Sequence, residues 1–149
     1  MSHSDLTLRE GYTDTFAHAF DEKGRITVPS EWRSEAHEKR LLVFRSQENC
    51  LKVYPASWLG AQMAKLKDAS MNDPRRRILQ NLATAAQTVE CDAQGRIMIK
   101  EKLRQVASLK KKTVLAGSFD HFQIWDADDW KNQEEATVTV EKAALEAGL

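Results

Sequence analysis

The sequence predicts an α+β chain built from two tandem β units joined by helices. First, Asp21-Glu22-Lys23-Gly24-Arg25-Ile26-Thr27-Val28 returns at the offset from Asp21 to Asp92 as Asp92-Ala93-Gln94-Gly95-Arg96-Ile97-Met98-Ile99. Second, each copy is flanked by short runs that alternate between large and small side chains, the period of half-buried strands. Third, the stretch between the copies carries apolar residues at helical spacing. The same offset aligns Arg33 with Arg104, Val53 with Ile124 and Tyr54 with Trp125, and one further residue brings Trp58 to Trp130. The chain divides into a flexible polar extension (1–11), a first repeat (12–58), linking helices (59–86), a second repeat (87–130) and a helix end with tail (131–149).

Phe16-Ala17-His18-Ala19-Phe20 alternates in size and predicts the first strand. Residues 21–25 predict a hairpin turn, because Gly24 takes a positive φ without steric cost and Asp21 bonds local backbone N–H groups. Ile26-Thr27-Val28 resumes the alternation, and Pro29 ends it. Ser30 is the expected N-cap of a short helix running to about residue 39. Residues 41–45 and 51–54 predict a second hairpin around Gln47-Glu48-Asn49. Pro55 suits the first turn of a helix whose apolar face is Leu59, Met63 and Leu66. Asn72-Asp73-Pro74 caps and starts another, with Ile78, Leu79, Leu82 and Ala86 on its apolar side. The second copy repeats the order: strand 88–91, turn, strand 96–99, short helix, then a hairpin of 113–116 with 122–125. A last helix begins near Asp126, where Asp128 and Asp129 suit the positive end of its dipole. Thr137-Val138-Thr139-Val140 fits no single pattern, and a loosely held tail is expected beyond Glu135.

A repeat of roughly 45 residues has a marginal core by itself, so the copies are expected to share one or to bury their faces in a neighbouring subunit. No apolar run approaches the roughly 18 residues a membrane span requires. The start, Met1-Ser2-His3-Ser4-Asp5, lacks the basic and apolar regions of a secretory signal. Cys50 and Cys91 occupy non-equivalent positions and form no spaced pair, which argues against a disulfide framework. A cytoplasmic protein is expected. Lys plus Arg (22) equal Asp plus Glu (22), without the basic excess common in nucleic-acid binders. Charge is nonetheless uneven: Arg75-Arg76-Arg77 and Lys110-Lys111-Lys112 are basic, and residues 126–135 are acidic. Only the local field at a binding face steers a polyanion.

The paired Asp-x-x-Gly-Arg turns, each followed by a short helix, a hairpin and an acid-flanked Trp helix, resemble the MraZ family of bacterial regulators. The likeness runs over residues 12–130 and includes His18, Pro29, Arg33, Pro55, Trp58, Ile124-Trp125-Asp126 and Trp130. It implies two tandem swapped-hairpin units of the SpoVT/AbrB kind with intervening and C-terminal helices. It also implies a nucleoid-associated transcription factor that assembles into a ring. Such proteins bind short G-rich direct repeats upstream of a cell-division and cell-wall operon. Carried onto this chain, the double-stranded DNA contacts are Lys23 and Arg25 in the first turn and Arg96 in the second. Asp21 and Asp92 complete the signature. The chain departs from the family pattern at Asp14, where a Gly is usual, and at Ala83-Thr84-Ala85-Ala86, where a small Gly-containing segment is usual. Lys100 replaces Pro29 and Gln94 replaces Lys23 in the second copy, so the second turn is expected to bind less strongly.

An arginine at the tip of a β-ribbon reaches a major groove and donates two hydrogen bonds to guanine O6 and N7, and Arg25 and Arg96 are expected at such tips. The turns are nearly neutral, so Asp21 and Asp92 are expected to brace them, through backbone N–H groups or an arginine such as Arg33 or Arg104. Gly24 and Gly95 supply the turn geometry. Oligomerisation offsets the weak charge, since linked sites raise avidity by roughly 10²–10⁴.

Blander readings stand beside these. Arg75-Arg76-Arg77 reads first as a solvated helix face and second as a phosphate patch. Lys110-Lys111-Lys112 reads as solvated loop. His18 reads as a packed strand residue, and His121 and Cys50 share a turn position without implying a metal. The four tryptophans read as core and interface anchors. No cofactor is expected. An enzyme is disfavoured, because the sequence shows no Ser-His-Asp set, no metal-spaced His or Cys cluster and no phosphate-binding Gly loop. The remaining alternative is an AbrB-like antitoxin whose C-terminal tail binds a toxin protein.

Overall fold

The computed structural model describes residues 7–135 and 139–149. β1 (Thr15–Ala19) and β2 (Arg25–Thr27) flank the first turn, and a 3-10 turn at Ser30–Trp32 leads to β3 (Arg40–Arg45) and β4 (Leu51–Pro55). Helices α1 (Ser57–Ala64) and α2 (Pro74–Ala85) follow. The second copy comprises β5 (Gln87–Glu90), β6 (Arg96–Met98), α3 (Glu101–Val106), β7 (Lys112–Gly117) and β8 (Phe122–Asp126). Two more helices, α4 (Ala127–Glu135) and α5 (Val140–Glu146), end the described chain.

The strands form a six-stranded sheet, in the order β1-β7-β8-β4-β3-β5, and a separate two-stranded ribbon of β2 and β6. All these pairings are antiparallel. The order shows why neither repeat stands alone. β1 of the first repeat pairs with β7 of the second, and β5 of the second pairs with β3 of the first. Each leading strand therefore covers an edge of the other repeat that would otherwise present unpaired backbone groups. The expected hairpin of β1 with β2 does not form, since β2 crosses to the ribbon. Ile26 faces its own counterpart Ile97, and Lys52 faces Gln123. A local twofold axis passes through both pairs.

One core results. Ile26, Val28, Ile97 and Ile99 from the ribbon side pack with Leu51, Val53, Leu115, Phe122 and Ile124 from the sheet, and all nine are buried. Tyr12 and Trp32 close it, with Trp32 stacked on Phe122 at a centroid distance of 4.8 Å. Sharing one core gives two marginal units the apolar burial that neither would reach alone.

Several local expectations shift. The helix expected over residues 30–39 is a single 3-10 turn capped by Pro29, not Ser30, whereas its counterpart α3 is a regular helix. Pro55 ends β4 opposite Leu41 and does not enter α1. Asp73 caps α2 by accepting from the Arg75 N–H at 2.9 Å, as the Asn-Asp-Pro signal predicts. Leu59 and Met63 are only half-buried and Ile78 is 63% exposed, so the apolar faces of α1 and α2 are incompletely covered in one chain. Asp14 adopts a φ of 76°, in the left-handed region where the family pattern has Gly. Its short carboxylate accepts from the Thr15 N–H, a local bond that eases this conformation. Part of the expected flexible extension is tied down: Gly11 is buried, and its carbonyl meets the His37 ring at 2.9 Å. The ambiguous Thr137-Val138 pattern lies outside the described residues. The tail from Val140 onward includes α5, which buries no residue.

Candidate nucleic-acid interface

The two turns have the same internal geometry. Asp21 N–H donates to the Arg25 carbonyl and Gly24 N–H to the Asp21 carbonyl, while Asp92, Arg96 and Gly95 repeat the pattern. Gly24 and Gly95 hold φ values of 77° and 79°, a region a side chain enters only at a cost. One carboxylate oxygen of Asp21 accepts from the Lys23 and Arg25 N–H groups, and the other accepts from Arg25 Nε at 2.7 Å. Asp92 does the same with the Gln94 and Arg96 N–H groups and with Arg96 Nε at 2.9 Å. The backbone N–H bonds, chiefly those from Arg25 and Arg96, hold both carboxyls below the ordinary Asp value. They stay ionised and fix the root of each guanidinium.

The arginine each carboxylate holds is therefore the turn's own. Arg33 and Arg104 do something else. Arg33 Nε donates to the Val28 carbonyl at 2.7 Å and Arg104 Nε to the Ile99 carbonyl at 3.0 Å. Each guanidinium then lies against the glycine of the opposite repeat. A Cβ on Gly95 would meet Arg33 Cζ at 2.4 Å, and one on Gly24 would meet Arg104 Nη2 at 2.9 Å. Glycine is required at both turns by backbone conformation and by these approaches.

The ribbon sets the display. Ile26 and Ile97 point into the core, so by strand alternation Arg25, Thr27, Arg96 and Met98 share the opposite face. Arg25 stands opposite Met98 and Arg96 opposite Thr27, which sets the two arginines diagonally across one ribbon. They open their strands next to the turns and do not sit at the turn tips. Lys23 is exposed beside the first. In the second turn Gln94 accepts from Arg96 Nη2 at 3.3 Å. Sequence reasoning missed Thr27 and Met98 as neighbours on this face, although period-two alternation carried the signal.

Half of the other basic clusters is engaged. Arg75 pairs with Asp73 at 2.8 Å, and Arg76 donates to the carbonyls of Leu66, Ala69 and Ser70. Lys110 lies 3.5 Å from buried Asp126, which draws its pKa upward, and 3.6 Å from Asp128. Among the described residues no three His, Cys, Asp or Glu side chains are grouped to hold a metal ion. No described helix is long and apolar enough to cross a membrane.

Fold and turns together define a class: a tandem swapped-hairpin protein that presents two carboxylate-braced arginines on one β-ribbon. Known proteins identify the family. The family model described as "MraZ protein, putative antitoxin-like" matches residues 12–82 and again 82–147. A transcriptional regulator MraZ of Mycobacterium sp. (strain KMS) is 37% identical over 126 residues, covering 84% of this chain and 87% of the relative. The one from Corynebacterium jeikeium (strain K411) is 38% identical over 117 residues, covering 78% and 81%. The chain belongs to the MraZ family.

Proposed function

We propose that this protein is a transcriptional regulator that reads short G-rich direct repeats in double-stranded DNA, upstream of a cell-division and cell-wall operon. The observation that carries the reading is the diagonal pair Arg25 and Arg96 on one partly exposed ribbon face, each anchored at Nε by its own Asp. Anchoring at Nε leaves the guanidinium end of Arg25 to donate to guanine O6 and N7, and that of Arg96 once Gln94 gives up its Nη2, at about 1–3 kcal/mol of discrimination for each good pair. Lys23 adds a phosphate contact in the first turn. Gly24 and Gly95 hold the turns, and Arg33 and Arg104 support them from the opposite repeat.

One neutral ribbon binds weakly, because phosphate neutralisation supplies most non-specific affinity. A homo-oligomeric ring would present many ribbons to tandem repeats. The exposed Ile78 and the half-covered Leu79 and Leu82 on α2 support self-assembly. The proposed setting is the nucleoid, and the role is binding, not catalysis.

Fluorescence anisotropy at fixed salt tests this, comparing a duplex of three or four G-rich direct repeats from upstream of the gene with a shuffled duplex. The repeats should bind preferentially, and Arg25→Ala with Arg96→Ala should abolish the preference while the protein still oligomerises. Equal, feeble binding to both duplexes would sink the reading. A second reading, an antitoxin whose tail binds a toxin, draws on the family description and on α5, where Val140 is 81% exposed. A small protein co-purifying with the full chain and lost on removing α5 would favour it.

A further inference from the structure

Cys91 stands where the first repeat has Phe20, at the same offset that relates the two turns. Phe20 is buried, with the Arg104 guanidinium 5.7 Å from its ring centroid. Across the local twofold axis, where the ring is replaced by a thiol, a cavity of about 340 Å³ opens. Tyr12, Trp32, Leu41 and Phe122 form its apolar wall, and the exposed Arg33 and Lys39 stand beside them.

The polar groups around this cavity are unevenly satisfied. Glu38 accepts from the Ser57 N–H and hydroxyl, and Asp92 is held by Arg96 and two backbone N–H groups. His37 has both ring nitrogens engaged, by Ser34 Oγ and the Gly11 carbonyl. Tyr12 is different. It is 1% exposed, and its hydroxyl has no hydrogen-bond partner among the described residues. At the wall of the cavity this hydroxyl is a donor that no described protein group uses. Burial, with Glu38 and Cys91 nearby, pushes the Tyr12 phenol far above its ordinary value and keeps it a neutral donor. Arg33 uses Nε on the Val28 carbonyl. The carboxylates are occupied, whereas the end of the Arg33 guanidinium and the Lys39 ammonium have no carboxylate among the described residues.

We propose that this cavity binds a small organic anion. Its body of roughly ten non-hydrogen atoms lies in the cavity beside the half-buried Cys91, a size suited to the lower end of small-molecule sites. Its carboxylate or phosphate pairs with Arg33 and Lys39, and an oxygen at its far end meets the Tyr12 hydroxyl. At the equivalent position of the first repeat the buried Phe20 ring stands in place of the thiol. Arg33 also covers Gly95, so the cavity shares a wall with the second turn.

Isothermal titration of the full chain tests the site with two probes, 4-hydroxyphenylacetate and 4-hydroxyphenyl phosphate, and with uncharged 4-hydroxyphenethyl alcohol as control. One saturable site per chain is expected for an anionic probe, and occupancy should slow alkylation of Cys91 by iodoacetamide. Cys50 is fully buried and serves as the internal reference thiol. Tyr12→Phe should weaken binding about tenfold, the loss of one buried hydrogen bond, and Lys39→Met should weaken it several-fold. Cys91→Phe should abolish binding with an unchanged melting profile. If Cys91→Phe does not fold, the Tyr12 and Lys39 variants decide. The proposal is overturned if neither anion binds at millimolar concentration, if the alcohol binds as tightly, or if Tyr12→Phe and Lys39→Met leave affinity unchanged. None of these outcomes depends on DNA.

Discussion

The two turns of this molecule are nearly superimposable in bonding and unequal in chemistry. Each is closed by the same backbone bonds, each has its arginine held through Nε, and each glycine lies under an arginine of the opposite repeat. The first turn adds an exposed lysine at position 23, where the second has Gln94, whose side-chain oxygen accepts from Arg96. Behind the first turn lies Phe20; behind the second lie Cys91 and a cavity. The difference separates two kinds of constraint. Residues that build the turn, and Ile26 and Ile97 at the axis, are duplicated faithfully, because the local twofold axis makes each copy the scaffold of the other. Residues that face outward or sideways have diverged.

The largest test of that equivalence is at its axis. Ile26→Ala and Ile97→Ala should each destabilise the fold by about 2–5 kcal/mol in urea unfolding, as buried large-to-small changes do. The two should be close to equal, and a marked inequality would break the symmetry of the core. Next come the glycines. Gly24→Ala and Gly95→Ala should each cost about 1–2 kcal/mol for a side chain in the left-handed region. Gly95→Ala should cost more, since Arg33 lies closer to that position than Arg104 does to Gly24.

A smaller effect sharpens the chemical difference, on the premise that the ribbon binds DNA. Lys23→Gln should reduce the slope of log affinity against log salt by about 0.9 for each contact made, and Gln94→Lys should raise it by a similar amount. Unchanged slopes in anisotropy titrations would remove Lys23 from the phosphate contacts. The smallest effect is acid dependence. Asp21 and Asp92 are depressed below the ordinary 3.8, first by the N–H groups of Arg25 and Arg96. A depressed carboxyl stabilises the fold above its unfolded pKa and loses that contribution as pH falls through its folded value. Stability should therefore be insensitive to these groups between pH 5 and 7, on the order of the ordinary Asp range and above. It should fall below about pH 4, and Asp21→Asn with Asp92→Asn should flatten that acid limb.

Much of the fold was legible because local chemistry repeats. Asp-x-x-Gly-Arg marks a turn by itself, and its second occurrence marks a duplicated unit. The Asn72-Asp73-Pro74 cap placed the start of α2 correctly, since the Asp73 carboxylate and the Pro at the first helical position act within a few residues. Pro55 misled, because the same fixed φ suits both the first turn of a helix and the end of a strand, and the ladder opposite Leu41 decided between them. The partner of each Asp was half legible. Backbone bracing follows from side-chain length, but Arg33 and Arg104 were candidates only because their true positions, across the axis, were not visible.

The sequence by itself determined the duplication, the turn conformations, the strand faces and the pairing of one arginine with each turn, because these depend on residues a few bonds apart. Only the tertiary structure decided that β1 joins the sheet of the second repeat and β5 that of the first. Only it decided that Arg33 covers Gly95, that Arg25 and Arg96 share one ribbon face, and that a cavity lies beside Cys91. Those facts depend on which edge each hairpin covers, and edges are chosen by the packing of one shared core.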